Sequence, residues 1–364
     1  MKDLRDVEDA LSARLTCLVG GWHELTARPG AESSRMRHDR AMPVNWELHY
    51  DRRVPPNFLA HFLPGGVAAS LVEYARHAPY PVDLQMRHDP KTGAHHATLY
   101  VGLTDVLTVR AHTKGLVLKP HMVISGGAFA LPIPLQSPTA LDALKDKWRA
   151  VEIYLDRVIP LAAAKHASKE GVVQAAASTF LSDRQVMVDR EVAVHFRDDK
   201  VKKRLMGEIT RPILDVVQSV SGIPGQRPDS FGGECDLLGV DQGGRLLAVE
   251  IKPADVGSIR WAAAQATVYA EILRRWVIAG DLPARADEVL NGMLNQRGQL
   301  GLGALKQPAL GPTPQVVPVV ALPTGVKQTY LDGLLAVRAA LIEAGHPPVD
   351  VYELTLAGRP DQIA

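Results

Sequence analysis

Two cysteines, Cys17 and Cys235, are all that the 364 residues contain. They lie far apart in unlike contexts, so a disulfide framework is not expected. Two thiols also fall short of a four-cysteine zinc or iron–sulfur site within one chain. Scarce cysteine fits a reducing compartment, and a cytoplasmic location is the expectation. Net charge is equally scant, at +1. No overall field draws polyanions, so any nucleic-acid surface must be a local patch. Long apolar runs are missing too. The stretch Val316–Leu322 is short and holds Pro318, which reads as a buried strand. Nothing approaches the length of a membrane span, and no membrane partner is expected. The start, MKDLRDVEDALSARLTCLVGG, mixes acids with bases, unlike a signal peptide. Ser125-Gly126-Gly127 lacks the lysine and spacing of a P-loop, so ATP-driven chemistry has no support. No repeat of solenoid period and no low-complexity linker stand out.

What is present is ordinary for a globular chain, 46% apolar and 22% charged. The length exceeds one compact core, and two domains are expected, 1–175 and 176–364. In the first, residues 3–20 carry a helical stripe (Leu4, Val7, Leu11, Leu15, Leu18). A strand is expected at Trp46–Tyr50 and a helix at Gly65–Arg76. VDLQMRH and HATLYVG read as a hairpin across Asp89–Gly93, and VLTVRAHT and LVLKPHMVI as a second strand pair. A long helix is expected over 139–165. The first part is therefore α+β, with recognition, sensing or dimerisation as its open roles, a homodimer among them. The second part alternates: strand Val186–Phe196, a basic helix Lys200–Val220, two strands, two helices, strand, helix, strand. That order predicts an α/β domain with a central mixed sheet flanked by helices.

The chemistry gathers in GGECDLLGVDQGGRLLAVEIKPA, residues 232–254. Two apolar runs flank Asp241-Gln242-Gly243-Gly244, which is hairpin chemistry. A hairpin centred on Gly243 sets Val240 opposite Leu246, Asp236 opposite Glu250, and Glu234 opposite Lys252. Opposed residues share a face, as do residues two apart. All four charged side chains then project from one side, with Cys235, Leu237, Val249 and Ile251 on the other. A slip of one residue scatters the cluster. Facing carboxylates repel, and a divalent cation resolves the conflict. Mg²⁺, with Mn²⁺ as a substitute, takes oxygen ligands, polarises a phosphoryl oxygen and lowers the pKa of a bound water. Lys252 beside that water would offset charge building on a phosphate.

Asp236, a turn, then Glu250-Ile251-Lys252 resembles the D…(D/E)xK signature of the PD-(D/E)XK nuclease superfamily. Gln265 and Tyr269, four apart on the next helix, resemble the QxxxY motif of its RecB-like branch. The resemblance covers residues 185–280, about a quarter of the chain. It implies that Asp236, Glu250 and the Ile251 carbonyl bind metal and that Lys252 is catalytic. It also implies that Gln265 and Tyr269 brace the site or meet substrate. Members often place a glutamate on the first core helix, and Glu208 is the candidate, although Pro212 four residues on could break that helix. Cys235 stands where a strict signature has proline.

Other residues carry plainer readings. Lys200, Lys202, Lys203, Arg204 and Arg211 could bind a phosphate backbone or form a solvated helix face. His88, Asp89, His95 and His96 flank a hairpin turn, and adjacent strand histidines point to opposite faces. The expectation is a Mg²⁺-dependent nuclease hydrolysing phosphodiester bonds, with DNA as partner, suited to restriction, repair or anti-phage defence. The alternatives are an effector nuclease gated by a ligand or partner, and an inactive nuclease-fold binding or sensor module.

Overall fold

The structure, a computed structural model, describes residues 47–89, 92–112, 115–120, 145–166, 170–179, 185–279, 285–303, 310–354 and 360–362. The helix expected at 3–20 and the Ser125-Gly126-Gly127 segment lie outside them. Residues Met42–Ala364 make one compact unit. No helix among the described residues is long and apolar enough to cross a membrane.

In chain order, β1 is Leu48–His49, α1 Pro56–Leu59, α2 Ala69–His77, β2 Asp83–His88, β3 His95–Val101, β4 Thr104–His112 and β5 Gly115–Pro120. Then come α3 Trp148–His166, α4 Glu170–Thr179, β6 Gln185–Ala193, β7 His195–Phe196 and α5 Asp199–Ser219. After these are β8 Glu234–Asp241, β9 Leu246–Ile251, α6 Ala262–Ile278, α7 Ala286–Gln299, β10 Val316–Pro323, α8 Gln328–Glu343, β11 Asp350–Leu354 and β12 Pro360–Gln362. The architecture is mixed α/β, and its larger sheet is mixed and flanked by helices. That sheet runs β12-β11-β10-β9-β8-β6. The β9–β10 and β10–β11 pairs are parallel; the others are antiparallel.

Both faces of the large sheet are covered, which explains why β8, β9 and β10 read as near-continuous apolar runs. One face packs on α5, α6, α7 and α8 through Leu238, Val240, Leu246, Ala248 and Val320. The other, with Leu237, Leu247, Val249 and Ile251, takes Val173 and Ala177 of α4. Helix α5 docks by Val201, Leu205, Ile209, Ile213 and Val217, buried at every fourth position. Asp198 caps it, accepting from the Val201 N–H at 2.9 Å. Pro212 does not break α5, which runs through it; the buried stripe on either side keeps both halves docked.

The second sheet, β2-β3-β4-β5, is antiparallel with the expected hairpins. Alternation along β2 sorts its two faces. Leu84 and Met86 join the core under α1, α2 and α3. Asp83, Gln85 and Arg87 are buried as well but polar, and this face meets the large sheet. Arg87 reaches Asp189 of β6 at 2.8 Å. Asp189 also accepts the Tyr50 hydroxyl at 2.6 Å and pairs with Arg52 at 3.6 Å. Arg87 donates to the Arg190 carbonyl at 2.8 Å, so a side chain covers part of the edge of β6 where another strand could add.

Three expected elements differ in extent. The helix over Gly65–Arg76 begins only at Ala69, because Gly65 takes φ 86° and Gly66 turns tightly onto the Ala60 and His61 carbonyls. The strand Val186–Phe196 is two strands, with a bulge between Met187 and Asp189 and Glu191 at φ 50°. β7 leaves the large sheet to pair with β1. The described part of the 139–165 helix is α3, and 121–144 lie outside the description.

Asp189 has a side chain with 0% exposure, gripped by a tyrosine and two arginines. Asp189→Ala strands Arg87 as an uncompensated buried charge. Urea unfolding should show a loss of about 3–5 kcal/mol, and a loss below about 1 kcal/mol would remove this junction as a stabilising element.

Candidate active site

The β8–β9 turn has the register expected of it. Val240 pairs with Leu246, Gly239 with Leu247, Leu238 with Ala248 and Leu237 with Val249. The Asp241 carboxylate accepts the N–H groups of Gly243 and Arg245, each at 2.9 Å, and Gly244 takes φ 72°. An aspartate side chain bonding its own turn and a glycine in the left-handed region are what set this geometry.

Beyond Leu237 and Val249 the strands part. Glu234 pairs with Ala193 of β6, and the Lys252 N–H goes to the Ala321 carbonyl of β10 at 3.3 Å. Each strand thus follows its outer neighbour. The Ile251 N–H turns instead to the Asp236 carboxylate, at 2.7 Å. The ladder therefore ends before both remaining expected pairs, Asp236 with Glu250 and Glu234 with Lys252; Lys252 sits against Glu250, and Glu234 is exposed. Cys235 also differs. It packs with the α6-side core rather than with Leu237, Val249 and Ile251. Its thiol lies 3.0 Å from the Leu237 carbonyl, to which it donates, and burial pushes it well up.

Glu250 has 0% exposure, and neither carboxylate oxygen receives a well-formed hydrogen bond. Its contact is the Lys252 ammonium, itself 12% exposed. Burial, then the nearby Asp236 charge, push the Glu250 carboxyl well above the glutamate range. Burial raises Asp236 too, against the Ile251 hydrogen bond and Lys252. Burial works against the Lys252 charge, but Glu250 and Asp236 outweigh it and hold the ammonium above its ordinary value. Two carboxyl groups and one lysine thus form a compact, desolvated cluster.

Helix α6 lies on that face, buried along most of its length. Its alanines let the backbone approach the sheet. Gln265 donates to the Tyr269 hydroxyl at 2.6 Å. Burial and then the nearby Glu250 push the Tyr269 phenol well up. Two residues were missed in the sequence. Gln174 of α4, fully buried, donates to the Asp236 carbonyl at 3.2 Å. Glu170, one turn earlier, is half-buried. Burial and the Asp236 charge push its carboxyl up, and Lys252 counters them. A glutamate and a glutamine four apart share a helix face, and that spacing was the available signal.

Glu208 is not brought to the cluster. It is exposed and bridges Arg204 at 3.1 Å and Arg275 at 2.8 Å, where two guanidiniums hold its carboxyl below its usual value. Lys200, Lys202, Lys203, Arg204 and Arg211 are all exposed along α5. Arg204 is also engaged by Glu47, at 2.6 Å. Met206, one turn beyond Lys202 and Lys203, borders Gly233 at the mouth of β8. The hairpin histidines divide as expected. His88 and His95 stack, with Nδ1 atoms 3.1 Å apart. His96 on the opposite face is pushed down to about 4 by burial and by Arg110.

The residues fit a hydrated divalent ion. Glu250 is desolvated, and one lysine is all the counter-charge set against it and Asp236, so an added cation would be favoured there. Among the described residues no group of three or more histidine, cysteine or acidic side chains is arranged to hold an ion. An all-protein cage is therefore not what is on offer. One or two carboxylates holding an ion that keeps waters and takes substrate oxygens is the Mg²⁺ pattern. No protein-family model, no curated protein and no solved structure matches the chain.

The raised Glu250 carboxyl has a consequence for stability. Its protonated form is favoured in the fold, so the metal-free protein should lose stability as pH rises above the ordinary glutamate range. Glu250→Gln should flatten that slope. Wild type should gain melting temperature on adding Mg²⁺ or Mn²⁺, and Glu250→Gln and Asp236→Asn should not. Equal gains in all three would show that the ion binds elsewhere.

Proposed function

We propose that this chain is a metal-dependent nuclease hydrolysing phosphodiester bonds, with DNA as substrate, built on a PD-(D/E)XK domain of the RecB-like kind. The observation that carries the reading is Glu250, fully buried at the end of β9 against Lys252 and beside Asp236. A sequence that only needed a stable sheet would gain by placing an apolar residue there. The cluster makes sense as a site that accepts a cation and a phosphate.

In this reading Asp236, Glu250 and the Ile251 carbonyl would hold Mg²⁺. Glu170, rather than Glu208, is the acid near enough to feel the Asp236 charge. The bound ion supplies Lewis acidity and a more acidic water. Lys252, released from Glu250, hydrogen-bonds the attacking water through Nζ and offsets charge on the phosphate. Tyr269, held by Gln265, braces the Glu250 side, and Gln174 fixes the backbone carrying Asp236. The exposed lysines of α5 offer phosphate contacts on the approach past Met206 and Gly233.

A second reading, an effector nuclease gated by a ligand or partner, has one observation in its favour. Helix α4, which brings Glu170 and Gln174, is wedged against the β3–β4 turn. A Cβ on Gly102 would stand 2.9 Å from the Gly171 carbonyl oxygen, and Arg190 donates to the Gly102 carbonyl at 2.6 Å. A shift of the smaller sheet would be felt at the site.

Purified protein should cut linear or circular DNA with Mg²⁺ or Mn²⁺. Lys252→Ala should lower the rate on the order of 10²–10³-fold, and Tyr269→Phe on the order of 10-fold. DNA left intact under both metals, or cleavage undiminished in Lys252→Ala, would overturn the proposal.

A further inference from the structure

Away from the carboxylate cluster, a cavity of about 870 Å³ opens between α2, the first turns of α3 and the last turn of α7. That volume lies within the range of small-molecule sites. Its lining is of two kinds. Phe62, Val72 and Pro79 are apolar, and Tyr74 and Trp148 set their rings edge to face at 6.2 Å. Three carboxylates, Glu73, Glu152 and Asp156, share the lining with one arginine, Arg76, and with His77.

The arginine is already committed. It pairs with Glu73 at 2.9 Å, and its guanidinium lies on Gly301, where an added Cβ would meet its carbon at 3.2 Å. His77 Nδ1 lies 2.8 Å from the Glu73 carbonyl oxygen. That leaves Glu152 and Asp156 at the aromatic end. Asp156 accepts the Tyr74 hydroxyl at 2.9 Å. Among the described residues Glu152 pairs with Arg149, a side chain 76% exposed, and such surface pairs are weak. The aromatic end is therefore anionic, and no buried cation stands among its described lining residues. Burial, then Asp156, push the Tyr74 phenol up.

We propose that this cavity binds an organic ammonium ion with an aromatic or alkyl body. The charged head sits between Glu152 and Asp156, against the faces of Trp148 and Tyr74. Aromatic faces attract cations, most strongly when the cation is partly desolvated. The body of the ligand lies along Phe62, Val72 and Pro79. Charge complementarity selects against anions of the same shape, because the carboxylates would repel them. The inference does not depend on the nuclease reading: none of these residues belongs to the Asp236–Glu250–Lys252 cluster.

The test is calorimetric titration of the full chain with benzyltrimethylammonium, and with 3-phenylpropionate as the anion of similar body. Saturable one-to-one binding of the cation is expected, with at least about tenfold weaker binding of the anion. Asp156→Asn, which keeps an acceptor for Tyr74, should weaken the cation at least about tenfold, as should Trp148→Leu. Circular dichroism checks that each variant is folded; should Trp148→Leu fail to fold, Asp156→Asn decides. No saturable binding in wild type, unchanged affinity in Asp156→Asn, or equal affinity for the anion would each overturn the proposal.

Discussion

Burial on both faces of β8 and β9 governs the rest of this structure. Leu238, Val240, Leu246 and Ala248 enter one core and Leu237, Leu247 and Val249 the other. A slip of one residue would exchange the two sets, each of which must fill a shaped space, so the register tolerates no error. That constraint carries Asp236 and Glu250 to the same end of adjacent strands. Once there, the strands diverge toward β6 and β10. The freed Ile251 N–H is taken by Asp236, and Lys252 by Glu250. The charged cluster is thus a product of sheet geometry, and it sits where the ladder stops supplying backbone partners.

A second polar layer joins the two sheets. Asp83, Gln85 and Arg87 on β2, with Asp189 and Arg190 on β6, are buried yet charged or polar. Breaking a buried ion pair costs more than the pair contributes over an apolar contact, so such a layer fixes one orientation rather than adding much stability. It also seats the β3–β4 turn against α4, and α4 holds Gln174 on Asp236. The smaller sheet and the cluster are therefore mechanically continuous. An ammonium-binding cavity under α2 and α3 would lie within that smaller layer.

The two sites use charge differently. At the β8–β9 end, carboxylates are desolvated and a lysine lies against one of them. In the cavity, carboxylates stay partly exposed and the aromatic rings supply the selectivity. The first arrangement suits chemistry, because desolvation strengthens every electrostatic contact. The second suits reversible recognition, because little has to be dehydrated.

Most of the second half was legible in the residues themselves. Asp241-Gln242-Gly243-Gly244 names its own turn, because an aspartate that bonds its turn and a glycine at positive φ are local requirements. From that centre the pairing of Leu237 through Val240 follows by counting, and so does the shared end of Asp236 and Glu250. The Gln265–Tyr269 contact follows from helical spacing. Counting could not show where the ladder ends, because that depends on β6 and β10 pulling from either side; Glu234 was therefore paired with Lys252 in place of Glu250. Nor could it show which other acids lie near the pair. Glu208 lies on a helix of the right kind, but Arg204 and Arg275 claim it, and those contacts exist only after α5 and α6 pack. Glu170 feels the Asp236 charge, and Gln174 bonds the Asp236 carbonyl, because α4 lies across the far face of the sheet. Local turn and strand chemistry is written in neighbouring residues; the assembly of acids from distant segments is decided by packing.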